Sequence, residues 1–81
     1  MPIEFRKKQV LLKGIVGVEE AENLLAGLQK RTGLGADLST CEHLHPANIQ
    51  VLLAAQVPVD AWPSDPLLQQ FLQSIFVPRG A

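Results

Sequence analysis

The chain has 81 residues, 47% of them hydrophobic and 19% charged, with a formal net charge of −1. That composition describes one small globular domain over residues 1–81 and excludes a disordered or fibrous chain. It also lacks the basic footprint of a nucleic-acid binder, and no apolar run approaches the ~20 residues of a membrane helix.

Charge at Glu4, Arg6, Lys7 and Lys8 interrupts the N-terminus where a secretory signal would be apolar. A single cysteine forms no internal disulfide, so the expected setting is the cytoplasm. Arg6, Lys7, Lys8 and Lys13 crowd the start of the chain against Glu4 alone. They read as a solvated strand face, with an acidic partner or a membrane surface as the alternative.

Gln9–Lys13 is short, apolar in the middle and closed by Gly14, as a strand would be. Ile3 and Phe5 alternate with Glu4 and Arg6, so the two pieces form one bent strand or a minimal hairpin. From Val18 to Arg31 the period changes: Val18, Ala21, Leu24, Leu25 and Leu28 share one face of a helix. Glutamates lie in its first turns and Lys30 and Arg31 in its last, as the helix dipole favours, and Gly33 supplies a left-handed cap.

Leu34–Leu38 is a second strand ending at Ser39-Thr40, and Cys41–His45 reads as a polar connection. Pro46 opens a second helix, with Ile49, Leu52, Leu53 and Ala55 at helical spacing up to Gln56. Val57–Trp62 is β-rich, although Pro58 argues against a fully paired central strand. Ser64 then suits an N-cap, with Asp65 and Pro66 in the first turn of a third helix. Its stripe of Leu67, Leu68, Phe71, Leu72, Ile75 and Phe76 runs to Val77, and Pro78 stops it. Strands alternating with helices predict an α/β fold: a small, mostly parallel sheet with about three helices packed on it.

Chemistry-bearing residues are sparse. Ser39, Thr40, Cys41, Ser64 and Ser74 could be nucleophiles with His43 or His45 as base, but no G-x-S-x-G elbow is present. Asp37, Asp60 and Asp65 are not brought together by spacing, and Gly14-Ile15-Val16-Gly17 lacks the lysine and third glycine of a phosphate loop. The expectation is a protein without catalytic activity or cofactor. Cys41, His43 and His45, if extended, would point one thiolate and two imidazoles to one side, a set that suits zinc. No further Cys or His closes such a site, so a connecting loop is the preferred reading. Gln50, Gln56, Gln69, Gln70 and Gln73 give the last two helices uncharged polar faces, and Trp62 reads as a packing anchor for the third helix.

The run from Ala36 to Ala54 resembles the signature of STAS domains. These are the anti-sigma factor antagonists of bacterial signalling and their relatives, including sulfate-transporter tails and the small subunits of lipid-transport complexes. Asp37-Leu38-Ser39 matches the family's strand end, and Ile49–Ala54 matches the apolar helix that follows it. The likeness extends over residues 9 to 77 and implies a STAS-like fold and a regulatory module that binds another protein. The implied docking residues are His43, His45, Pro46, Ala47, Asn48 and Gln50.

The implied partner is a serine-kinase-type anti-sigma factor; the alternative is a role as accessory subunit of a transporter or chemosensory complex. Contact with a membrane would be indirect. The family's acidic residue, first serine, phosphorylated serine and glycine fall here on His45, Pro46, Ala47 and Asn48. Ala47 has no hydroxyl, so the phosphoserine switch has no acceptor at this position. A protonated His45 would favour a partner carboxylate at the loop. Asn48→Arg should weaken binding at a stability cost of only ~0.3–1 kcal/mol. The family continues with a further strand and helix. A shortened sheet would leave an unpaired edge, which predicts a homodimer or higher association at high concentration.

Overall fold

A computed structural model describes residues 2–31 and 33–76. Alternation at the start of the chain folds into a hairpin. Strand β1 (Ile3–Phe5) pairs antiparallel with β2 (Gln9–Leu12), setting Ile3 opposite Leu12 and Phe5 opposite Val10. Arg6 closes the turn by donating its N–H to the Gln9 carbonyl at 2.7 Å.

The strand that follows is bent as well. Gly14 sits in the left-handed region (φ +59°), open to glycine without strain, and the chain leaves the sheet there as β3 (Gly14–Val16). The next segment makes the same departure. Strand β4 (Gly35–Asp37) runs parallel to β2, and β5 (Cys41–Leu44) runs parallel to β3. Strand β6 (Val59–Ala61) adds in parallel beside β4. The result is a four-stranded sheet, β1-β2-β4-β6, continued at one end by the two-stranded β3-β5 pair.

The polar connection expected at Cys41–His45 is therefore largely a strand. Cys41 and Leu44 point inward while Glu42 and His43 are both exposed, so the period-2 signal is broken where it would have been read.

The first helix begins later than its periodicity suggests. Gly17 offers no side-chain cap, and Val18–Glu20 form a single 3-10 turn before α1 (Ala21–Lys30). Leu24, Gly27 and Leu28 are buried, whereas Val18 and Leu25 of the expected apolar face are exposed. Gly33 is left-handed as expected (φ +75°), but in the turn to β4; Arg31 ends the helix in extended conformation.

Helix α2 (Pro46–Ala54) ends as Gln56 takes the left-handed region (φ +56°) and Val57 donates to the Leu52 carbonyl at 3.1 Å. Helix α3 (Pro66–Gln73) is capped by Asp65, whose carboxylate accepts the Leu67 N–H at 3.1 Å, and not by Ser64. Trp62 packs, half-buried, against the core. Val77 and Pro78, the expected end of this helix, lie outside the described residues.

Val10, Leu12, Ala36 and Val59 of the sheet and Leu38 just after β4 meet Leu24 and Leu28 of α1, Ile49 and Leu52 of α2, Leu72 of α3 and Phe76 shortly after it. Sheet and helices thus share one core. Alternate strand residues such as Glu4, Gln9, Leu11 and Asp60 face the other way and stay half-exposed. On that face Glu4 accepts from Arg6 (2.7 Å) and Lys13 (2.6 Å), and Gln9 donates to Asp60 across β4 at 2.9 Å.

Candidate functional site: the first turn of the second helix

Strand β5 delivers the chain directly into α2, so His43 to Gln50 occupy the lip of the β3-β5 pair. His45 is extended, and its Nδ1 accepts the Ala47 N–H at 3.0 Å, the N-cap of the helix. Only an imidazole with a free lone pair on Nδ1 can make this bond. A partner carboxylate at this loop would therefore have to meet the other ring nitrogen of His45, because Nδ1 already serves the cap.

Asn48 departs furthest from expectation. It is fully buried, donating Nδ2 to the Gly17 carbonyl at 2.8 Å and, more distantly, to that of Val16 at 3.5 Å. This amide stitches the first turn of α2 to the end of β3. It cannot touch a partner, and Asn48→Arg would force a cation into the core rather than onto a surface. Asn48 is removed from the docking residues and becomes their support.

The rest of the set is accessible. His43, Pro46 and Gln50 are exposed and Ala47 is half-buried. Two neighbours belong with them. Ile15 stands opposite His43 across the β3-β5 pair and is 70% exposed; Val18, beside the Gly17 that holds Asn48, is 56% exposed. Sequence reading missed Ile15 and assigned Val18 to the core side of a helix. The available signal was Ile15-Val16, of which a strand buries only one.

Cys41 lies in the core, its thiol donating to the His43 carbonyl at 3.5 Å. Burial pushes the thiol above its ordinary value, the reverse of an activated nucleophile or metal ligand. His43 faces outward and His45 is committed to the cap, so the three residues do not converge. Among the described residues no group of three His, Cys, Asp or Glu side chains is placed to hold a metal ion. Asp37 accepts both the N–H (3.0 Å) and the hydroxyl (2.7 Å) of Ser39, an arrangement that shapes the turn between β4 and β5. The Ser39 proton is thereby directed to a carboxylate in the turn, and neither histidine reaches it.

Compared with protein-family models and with curated protein sequences, the chain matches none. Among the described residues no helix is long and apolar enough to cross a membrane.

Proposed function

We propose that the chain is a non-catalytic cytoplasmic module that docks onto another protein through the lip formed by Ile15, Val18, His43, Pro46, Ala47 and Gln50. Exposure of Ile15 and Val18 beside the α2 first turn carries this reading. Isolated surface apolars are ordinary, but two large ones flanking a helix N-terminus form a contact patch. The turn beneath it is held by Asn48 and by the His45 cap, so the patch is presented without an ordering cost at binding.

The resemblance to anti-sigma factor antagonists supports the same location, since the family's phosphoserine position falls on Ala47. On that reading the module binds a serine-kinase-type partner or a related subunit constitutively, as the hydroxyl for a phosphate switch is missing. A second reading is an accessory subunit of a transporter or chemosensory complex, in which the same apolar lip would be covered permanently.

The test places a photo-crosslinking residue at Ile15 in the whole chain within its native cell. A discrete protein adduct is expected, lost on Val18→Asp or Gln50→Arg and kept on Gln29→Asp, which lies on the exposed side of α1. Adducts indifferent to Val18→Asp in a folded chain would overturn the site. The same experiment in the presence of a serine kinase should leave Ala47 and its neighbours unphosphorylated.

A further inference from the structure

Helix α3 carries two apolar rows and buries one. Leu72 and Phe76 enter the core and Leu68 packs against it. The second row, Leu67, Phe71 and Ile75, is 77%, 52% and 37% exposed. Ile75 continues the helical line, because Phe76 donates to the Leu72 carbonyl at 2.9 Å beyond the last helical residue.

Charge is missing around this row. Neither PANIQVLLA of α2 nor PLLQQFLQ of α3 contains an ionisable side chain. Over the whole chain 19% of residues are charged. Between Pro46 and Phe76 only Asp60 and Asp65 carry charge. The polar flanks of α3 are the amides of Gln69, Gln70 and Gln73.

We infer that two copies of the chain associate through α3, antiparallel about a two-fold axis at Phe71. The row is symmetric about that residue, with Leu67 one step before it and Ile75 the same step after, each ~6 Å along the axis. A two-fold at Phe71 sets Phe71 on its own copy and Leu67 opposite Ile75 in both directions, the self-complementarity an isologous contact requires. Electrostatics favours the same occupant. This face meets itself without juxtaposing like charges, whereas the Arg6–Lys8 turn or the glutamate-rich start of α1 would repel its own copy. Amide side chains both donate and accept, so glutamine can pair with glutamine. Antiparallel helices also align their dipoles favourably. A hollow between α2 and α3, lined by Leu53, Gln56, Pro58 and Ile75, extends the apolar area. The outer strands β1 and β6 span three residues each, a short template for association through the sheet edge.

Sedimentation of the whole chain from micromolar to millimolar concentration tests this. Wild type is expected to dimerise. Phe71→Lys and Phe71→Asp, each folded by circular dichroism, should be monomeric, and an equal mixture of the two should recover the dimer. If either substitution unfolds the chain, Phe71→Cys takes its place. Under mild oxidation it should give a covalent dimer linked at residue 71, while Gln29→Cys should not. A wild type that stays monomeric at millimolar concentration overturns the inference and leaves the row to a different protein. A dimer that survives Phe71→Lys overturns it too, and points to the sheet edge. Photo-crosslinking at Ile15 reads a separate surface, so loss of one result does not entail loss of the other.

Discussion

Asn48 shows how much one amide can hold. Its Nδ2 reaches the Gly17 carbonyl at 2.8 Å from a fully buried position. Removing the donor strands that carbonyl and opens a small void. Asn48→Ala is therefore expected to cost about 1–3 kcal/mol, read as a lower urea midpoint at unchanged slope. Asn48→Asp should cost at least as much at neutral pH, because a buried carboxylate would then face carbonyl oxygens. An unchanged midpoint for both would mean that the turn is held by the His45 cap alone.

Glu4 gives a prediction in pH. Hydrogen bonds from Lys13 and then Arg6 pull its carboxyl from 4.5 to about 2. A depressed value means the folded state prefers the ionised form. The contribution is complete above the ordinary glutamate range and is lost as pH falls toward 2. Both partners are open to solvent, so added salt should move the midpoint back up. Carboxyl chemical shifts followed by NMR at low and high salt measure this; a midpoint near 4.5 at low salt would refute the ion pairs. The four cations at the start of the chain were visible in the sequence, but the sharing of Glu4 by two of them, Arg6 and Lys13, was not. It depends on the hairpin register that sets Glu4 opposite Leu11, beside Lys13.

Among the elements, α1 was legible because Leu24 and Leu28 repeat a local period and the end charges follow the dipole. The helical spacing of α2 and α3 was legible for the same reason. Strands β3 and β5 were not, since each is short and is defined by a partner far along the chain. Gly27 is a further non-local case. In sequence it is a weak point in a helix, about 1 kcal/mol worse than alanine. In the structure an added Cβ would overlap the ring of Phe5, which the Arg31 guanidinium covers at 4.8 Å from its centroid.

Gly27→Ala therefore gains propensity and loses packing, and overpacking at about 1–3 kcal/mol should outweigh the gain. A lower melting temperature is expected. Phe5→Leu, which shortens the ring side of the contact, should recover part of it in the double variant. A stabilised Gly27→Ala would show that Phe5 can move aside freely.

Across the whole molecule, charge is segregated along α1. Glu19, Glu20 and Glu22 stand at its start and Lys30 and Arg31 at its end, where Arg31 meets Phe5 beside the Arg6–Lys8 turn. The proposed docking lip lies at the acidic end: Val18 adjoins Glu19, and His43 follows Glu42 on β5. In the docking proposed above, exposed Glu19 and Glu42 would match basic groups on the partner, and such charges act mainly on the rate of encounter. Association at the lip should thus slow with added salt, by about tenfold between low and high ionic strength, with little change in dissociation. Glu42→Lys, at an exposed strand position, should slow association at low salt while leaving the melting temperature within error of wild type. Val18→Asp should do the opposite, speeding loss of the complex by damaging the apolar centre. Stopped-flow or surface-binding kinetics with the crosslinked partner separates the two rates. Association indifferent to both salt and Glu42→Lys would remove the glutamates from recognition and leave the uncharged lip, with Ile15 and Val18 at its centre, as the contact.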